Sequence, residues 1–189
     1  MLKIIHRVNT IKELNKVPKK YGVEIDVRSR DGFLILNHDP FQMGVVWLDY
    51  YLEHFKHKFL VVDIKEEGIE EEVIKLLKKH SIKNYFLLGV TPPQMYQLNK
   101  HGFTDMANRF SEFELYPSMF YVKWMWLDTF FEFSFEFRFR SFYGYAQLCL
   151  VCPSRWGRPE DIEKIKATIK KENLKIDAVM TSLEYADKW

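Results

Sequence analysis

The sequence predicts an α/β fold, a compact (β/α)8 TIM-type barrel formed as a single domain by residues 1–189. Short apolar runs alternate with amphipathic segments eight times, without a linker or an internal repeat, as in a parallel barrel. Polar residues also follow several of these runs directly, at the strand ends where such barrels carry their sites. The predicted strands cover residues 3–6, 22–28, 58–64, 84–89, 105–109, 122–127, 146–151 and 177–181. Because a typical barrel of this type has about 250 residues, we expect trimmed or missing helices.

Helix starts support the alternation. Three segments have the spacing of a capping box, in which a Ser or Thr and a Glu or Gln three residues later bind each other's backbone amides. These segments are Thr10–Glu13, Thr91–Gln94 and Ser111–Glu114. Pro159 occupies an expected first helical position, and apolar residues at helical spacing run through residues 69–80 and 162–169.

One stretch departs from the barrel pattern, because five phenylalanines alternate strictly with other residues where the sixth helix is expected. The period of two predicts an extra extended segment with one aromatic face near residues 130–143. This face could pack on the domain itself, form a homodimer contact, or bind a lipid surface or acyl chain. Its members are Phe131, Phe133, Phe135, Phe137 and Phe139.

Composition narrows the class of protein. A formal net charge of +2 gives no polyanion-binding signature, so we expect no nucleic-acid partner. No run of about 18 uncharged apolar residues is present, so we expect no transmembrane segment. The first motif, at His6, comes too early for a cleavable signal, and a cytoplasmic location is expected. Cys149 and Cys152 fall on a predicted strand and are expected to be packed thiols.

The most informative residues are polar groups at the ends of apolar runs in the first third of the chain. They are His6, Arg7, Glu24, Asp26, His38, Asp63 and Lys65. Alternate residues of a strand face the same side, so Glu24 and Asp26 point together, as do Asp63 and Lys65. Converging carboxylates suit one Mg²⁺ or Ca²⁺ rather than zinc. The sequence therefore predicts a divalent metal site at one end of a sheet.

The remaining residues fit the cleavage of a phosphodiester. Arg7 and Lys65 would balance the charge of the phosphate, and His6 and His38 would act as proton carriers on either side of the phosphorus. Any one of these polar motifs alone is more often a solvated strand face or a turn. Four such motifs, each at the end of a predicted strand, occur by chance much less often.

These residues carry a family resemblance. The segments IIHRVNT, YGVEIDVRSRDGFLILNHDPF and FLVVDIKEEG resemble the glycerophosphodiester phosphodiesterase family, within the phospholipase-C-like phosphodiesterases. The likeness is specific over residues 4–66, and NRFSEFE, WMWLD and DAVMTS resemble the later strands of short, single-domain members. The resemblance implies catalytic roles for His6 and His38, metal binding by Glu24 and Asp26, and a small-molecule or lipid-derived phosphodiester as substrate.

Three positions depart from the pattern of that family. Its HRG motif is His6-Arg7-Val8 here, and the loop that brings a metal-contacting Glu is contracted to Asn9-Thr10, where Asn9 would stand in as ligand. The third acid, commonly Glu, is Asp63, as in the related sphingomyelinase-D-like enzymes. The identity of the phosphodiester, and the choice between direct hydrolysis and a cyclic-phosphate intermediate, stay open.

Later strand ends supply further candidates. Substrate contacts on the rim are predicted for Arg109, Trp126, Asp128 and Arg155, although such residues often serve only to pair with each other or to line a pocket wall. The alternative function is a non-catalytic domain on the same barrel that binds phosphoesters or lipid headgroups. A third interpretation is an interaction protein assembled through the phenylalanines. Retention of both histidines favours the enzyme, because binding alone needs no proton relay.

Overall fold

The computed structural model describes residues 1–42, 44–115, 120–133 and 140–189. Within these residues the strands are β1 (Leu2–Ile5), β2 (Gly22–Arg30), β3 (Phe33–Leu36), β4 (Val46–Trp47), β5 (Phe59–Ile64), β6 (Tyr85–Leu88), β7 (Ala107–Phe110), β8 (Trp124–Leu127), β9 (Gln147–Val151) and β10 (Ala178–Thr181). Each of the eight predicted strands is confirmed, with ends that shift by at most two residues.

Eight of these strands form a closed parallel barrel. The pairings run β1–β2–β5–β6 and β7–β8–β9–β10, and β10 pairs with β1. A parallel bridge between Leu87 and Met106, with the Leu87 amide donating to the Asp105 carbonyl at 2.9 Å, joins the two halves. The barrel prediction is therefore confirmed.

Aromatic side chains fill the interior of the barrel. Alternate residues of each strand point inward, and the inner cluster includes Phe86, Trp124 and Trp126. Phe86 lies 5.0 Å from Trp124 and 6.3 Å from Trp126 between ring centroids. The opposite strand faces, such as Val23 and Ile25, are also fully buried, under the outer helices.

The helices that the structure describes are short, as predicted. They are α1 (Ile11–Leu14), α2 (Leu48–His54), α3 (Glu70–Lys79), α4 (Pro92–Lys100) and α5 (Asp161–Lys171), with 3-10 turns at Arg140–Phe142, Pro153–Trp156 and Leu183–Lys188. The described parts of the β7–β8 and β8–β9 connections contain no α-helix. None of the helices that the structure describes is long and apolar enough to cross a lipid bilayer.

The helix-start predictions had mixed outcomes. Thr10 forms the predicted capping box with Glu13. Thr91 is the N-cap of α4, but its hydroxyl makes no capping bond, so that box was wrong. Ser111 accepts bonds from the Phe113 and Glu114 amides in a turn, and no helix follows within residues 111–115. Pro159 precedes α5 rather than starting it, because Glu160 is the N-cap.

A hairpin outside the barrel leads to the second histidine motif. β3 pairs antiparallel with the far end of β2, and Asp31 and Gly32 make the turn between them with φ of 50° and 80°. Such positive φ angles at both turn residues are typical of the tight hairpin turn that Asp-Gly forms. The chain then returns toward the barrel end at His38.

The predicted aromatic segment is described only at its margins. Phe135, Phe137 and Phe139 lie outside the described residues. Phe131 and Phe133 belong to no strand, and Arg140–Phe142 is a 3-10 turn. Phe133 is half-buried against the cluster that contains Phe110, whereas Phe131 is exposed.

Candidate active site

The carboxyl ends of the barrel strands surround a pocket of about 190 Å³. Eight of the predicted site residues line it together: His6, His38, Asp63, Lys65, Arg109, Trp126, Asp128 and Arg155. Trp156, Leu88 and Met180 complete the wall. Glu24 and Asp26 lie beside the pocket, where they contact His6 and Lys65. The fold thus brings the predicted site residues together from the ends of six barrel strands and from the hairpin loop.

Three carboxylates form a buried cluster. Glu24, Asp26 and Asp63 each offer an oxygen, and these atoms lie within 4.8 Å of one another. Asp26 and Asp63 are register partners on neighbouring parallel strands, which places their carboxylates at the same height. Burial, with repulsion from Asp26 and Asp63, raises the pKa of Glu24 well above its ordinary value. Burial also raises the pKa of Asp63.

Lys65 is the ammonium partner of this cluster. Its Nζ lies 2.6 Å from Asp63 Oδ2 and 3.1 Å from Asp26 Oδ1. Burial alone would lower the pKa of Lys65, but the attraction of Asp63 and Asp26 outweighs burial, and the pKa is raised. Lys65 therefore stays charged and offsets part of the negative charge.

The cluster fits a hard divalent cation. Its donors are carboxylate oxygens, the ligands that Mg²⁺ and Ca²⁺ prefer. Burial raises the pKa of both Glu24 and Asp63, and Lys65 offsets this only in part. A cation among the three oxygens would favour their ionised forms.

The loop after β1 holds two of the acids in place. Arg7 adopts φ of 56°, and its amide donates to Glu24 Oε2 at 2.6 Å. Asn9 forms two hydrogen bonds with Asp26: its Nδ2 donates to Oδ2 at 2.7 Å, and its Oδ1 accepts from the Asp26 amide at 2.8 Å. Asn9 as a metal ligand stays a prediction; in this geometry both amide atoms orient Asp26. The Arg7 guanidinium faces Asp26 at 3.9 Å.

The first histidine is partly buried, and its surroundings favour the neutral imidazole. His6 Nε2 lies 3.8 Å from Glu24 Oε2. Burial, followed by the positive fields of Arg155 and Arg7, lowers the pKa of His6 to about 4. A neutral imidazole beside the carboxylates can accept a proton.

The second histidine is more open and is held by an acid. His38 Nδ1 lies 2.6 Å from Asp39 Oδ1, and this hydrogen bond lowers the pKa of Asp39. The ionised Asp39 carboxylate accepts a hydrogen bond from Nδ1–H, which leaves Nε2 as the nitrogen that can exchange a proton.

Arg28 fixes the position of the His38 loop and was not predicted from the sequence. Its guanidinium donates to the His38 carbonyl at 2.9 and 3.1 Å and to the Lys65 carbonyl at 3.2 Å. The available signal was the period of two on β2, which continues from Glu24 and Asp26 to residue 28.

The far wall of the pocket carries an acid and two arginines. Asp128 accepts from Trp126 Nε1 at 3.0 Å, and Arg109 lies 3.5 Å from it. Burial raises the pKa of Asp128 to about 6. Arg109 also pairs with Glu114, whereas Arg155 lies 5.1 Å above the ring of Trp156. Trp156 was not predicted as a pocket residue, although it comes directly after Arg155.

A glycine lies against the carboxylate cluster. Gly89 follows β6 with φ of 75°, and a β-carbon at this position would lie 2.5 Å from the Ile64 carbonyl oxygen and 2.6 Å from Asp63 Oδ1. Only glycine fits here without displacing Asp63.

Comparison with known proteins places this arrangement on a known scaffold. No family model matches the chain, and no curated protein matches it by sequence. Solved structures do match over nearly the whole chain. One, from Agrobacterium tumefaciens and assigned as a glycerophosphoryl diester phosphodiesterase, has a TM-score of 0.69 and 13% identity over 98% of this chain and 95% of its own.

Two further structures agree with the first. A glycerophosphodiester phosphodiesterase from Agrobacterium tumefaciens has a TM-score of 0.62 and 15% identity, with 95% of this chain and 96% of that chain covered. A glycerophosphoryl diester phosphodiesterase from Parabacteroides distasonis has a TM-score of 0.68 and 12% identity, with 99% and 85% covered. The chain therefore has the barrel fold of these phosphodiesterases. Its site has to be argued from its own residues.

Proposed function

We propose that this protein is a metal-dependent phosphodiester hydrolase that acts on a glycerophosphodiester or a related phospholipid-type phosphodiester by acid-base catalysis with two histidines. The observation that supports this most directly is the convergence of two histidines, an ammonium group and a three-carboxylate cluster on one pocket of the barrel. The likeness to solved phosphodiesterases supports the same reaction class.

The cation would be held by Glu24, Asp26 and Asp63, with Asn9 either as a further ligand or as the support of Asp26. Mg²⁺ and Ca²⁺ both suit these oxygen donors. When bound, the cation supplies charge stabilisation to a phosphate oxygen. Arg7 and Lys65 add positive charge on the same side of the pocket.

The two histidines have complementary surroundings. His6 is kept neutral by burial and nearby cations, so it can take a proton from the attacking hydroxyl or itself attack the phosphorus. His38, whose tautomer Asp39 sets, would deliver a proton to the leaving alkoxide. A hydroxyl next to the phosphoester could attack first, in which case a cyclic phosphate precedes hydrolysis.

Two of the three departures from the family pattern, Val8 and Asp63, are compatible with turnover. Val8 has no positive φ and is buried in the core, so its side chain does not enter the pocket. Asp63, although one methylene shorter than Glu, still joins the carboxylate cluster. The barrel also keeps both histidines at one pocket, which a domain that only binds phosphoesters would not need.

The test is a metal-screened assay on a panel of phosphodiesters with His6→Ala and His38→Ala. Each variant should lose at least ~100-fold in kcat, the lower range for removing a positioned acid or base. The double variant should lose less than the product of the single losses, because both residues serve one reaction. His101→Ala is the matched control, since His101 ends α4 at the opposite end of the barrel.

Thermal unfolding separates loss of chemistry from loss of fold. A histidine whose removal leaves kcat near the wild-type value is not part of the mechanism. If the wild-type protein binds the diesters but hydrolyses none of them with any metal, the alternative of a phosphoester or lipid-headgroup binding domain replaces the enzyme.

Other proposals concern the rim and assembly. Arg109, Trp126, Asp128 and Arg155 are proposed as substrate contacts, because all four line the pocket. A homodimer through the phenylalanine segment stays a prediction. Of the five phenylalanines, the structure describes only Phe131 and Phe133. The Phe131 ring is largely exposed, whereas Phe133 packs against the barrel's own cluster.

A further inference from the structure

A row of aromatic rings runs from the pocket wall to the protein surface. Trp156 lines the pocket, and its ring centroid lies 4.2 Å from that of Phe130. Phe130 lies 5.2 Å from Phe113, which lies 5.6 Å from Phe131. Phe113 and Phe131 are 69% and 66% exposed. These four residues, here named the aromatic track, form a row of neighbouring rings from the pocket wall to the surface.

The track is held in shape by polar contacts between two loops. The Glu112 carboxylate accepts from the Phe130 amide at 3.0 Å and from the Phe131 amide at 2.9 Å. Ser111 Oγ accepts from the Phe113 amide at 3.2 Å, and Arg158 donates to the Thr129 carbonyl. Exposed rings that are fixed in this way keep apolar surface in water at a cost, and they are ready to bind an apolar ligand with little further ordering.

Charge lies at the inner end of the track. Arg155 sits 5.1 Å above Trp156, and Arg109 and Lys65 face the same pocket. Among the described residues, the cations therefore lie at the pocket end of the track, and the exposed rings of Phe113 and Phe131 lie at its outer end. This order matches a molecule with an anionic phosphate at one end and an aliphatic chain at the other.

We propose that the aromatic track binds the aliphatic chain of a single-chain phospholipid whose phosphodiester lies in the pocket. This inference rests on the proposed function and narrows its substrate from glycerophosphodiesters in general to those that carry one acyl or alkyl chain. In the net reaction, the oxygen of water bonds to phosphorus and gives up a proton to His6, the bond between phosphorus and the leaving alcohol oxygen breaks, and that oxygen takes a proton from His38.

A flexible chain suits the track better than a protein partner does. A stable protein interface buries about 800 Å² on each side. The track is instead a single row of four rings that leads into a pocket of about 190 Å³. A narrow apolar row that is continuous with a catalytic pocket is the geometry that a linear chain requires.

The experiment measures kcat/KM on two series of glycerophosphodiesters, with choline or ethanolamine headgroups, that carry no chain or a short, medium or long acyl chain. All are used below their micelle-forming concentrations. For the wild-type protein kcat/KM should rise about fourfold for each methylene that leaves water, until the chain exceeds the track. In Phe113→Ser/Phe131→Ser the ratio between long-chain and chainless substrates should fall by at least ~10-fold. Tyr121→Ser, an exposed aromatic residue before β8 at the other end of the barrel, should keep the wild-type ratio.

Several outcomes would overturn the inference while leaving the proposed function intact. One is hydrolysis of the chainless diesters with no dependence on chain length. Another is a variant that unfolds at the wild-type temperature and keeps the wild-type ratio. If the Phe113→Ser/Phe131→Ser variant gives a smaller particle than the wild type by light scattering, the track binds a second copy of the chain. If the variant binds phosphatidylcholine vesicles less well but keeps the wild-type ratio between long-chain and chainless substrates, the track binds a membrane surface. Absence of activity on every diester would instead reject the proposed function.

Discussion

Replacing Gly89 by alanine should damage the candidate metal cluster through the space that one methyl group needs. The new β-carbon would lie 2.5 Å from the Ile64 carbonyl oxygen and 2.6 Å from Asp63 Oδ1, roughly 1 Å inside normal contact. The contact with the Ile64 carbonyl can be relieved only by a shift of the backbone, and the contact with Asp63 only by a shift of its carboxylate, so the substitution disturbs both the strand end and the cluster.

The expected loss of stability has two parts. An alanine at φ of 75° costs about 1–2 kcal/mol of unfolding free energy. Overpacking against the barrel adds about 1–3 kcal/mol. Gly102 isolates the first part, because it has the same φ of 75° but no atom within 4 Å of the place that a methyl group would occupy.

The assay compares Gly89→Ala with Gly102→Ala by urea unfolding and by phosphodiesterase activity in excess Mg²⁺. Gly102→Ala should lose only the backbone part and keep its kcat. Gly89→Ala should lose more stability and ~100-fold in kcat, the scale expected when a group in the site moves by about 1 Å. Equal stability losses in the two variants, or normal activity of Gly89→Ala, would refute the role of Gly89 in placing Asp63.

Three further predictions address the pocket. Chelation by EDTA should abolish activity and lower the melting temperature, because the buried carboxylates then repel one another. Addition of Mg²⁺ or Ca²⁺ should restore both. Full activity in excess EDTA would contradict the metal site. Arg28→Lys should lower kcat by ~10-fold with little change in KM, because a lysine cannot bind the His38 and Lys65 carbonyls together as the guanidinium does. An unchanged kcat would show that Arg28 does not position the His38 loop for catalysis. For Asp128, burial raises the folded-state pKa to about 6 from 3.8, so ionisation of this acid costs up to about 3 kcal/mol of stability above pH 6 and nothing below pH 3.8. Asp128→Asn should therefore be more stable than the wild type at pH 8, with the difference lost by pH 4; unfolding curves with no pH-dependent difference would show that Asp128 has an ordinary pKa.

The barrel and most of the pocket could be predicted because they depend on local patterns. Each barrel strand is a short apolar run, and the period of two assigns Glu24 and Asp26 to one face without reference to the rest of the chain. Parallel strands then bring their carboxyl ends together, so Asp63 joins the other two acids. The chemistry of the cluster follows from this topology.

The missed features depend on contacts between distant segments. Arg28 acts through the carbonyl of Lys65, 37 residues later, and Glu112 binds the backbone of Phe130, 18 residues later. The requirement for Gly89 arises only because Asp63 and Ile64 end the neighbouring strand. Thr91 had a capping spacing, but its hydroxyl forms no bond to the helix. Local sequence carries no information on such partners.

The charges of the cluster give a physical reason for a divalent cation. Neighbouring inward residues such as Val61 and Phe86 are apolar. Burying the charges of Glu24 and Asp26 among them costs stability, and a functional site is the reason to keep them there. Lys65 and the Arg7 guanidinium compensate two of the three carboxylates, which leaves about one negative charge when all are ionised. A phosphodiester brings one more. A cation of charge two among the three oxygens would balance both, whereas a monovalent cation would balance only one of them.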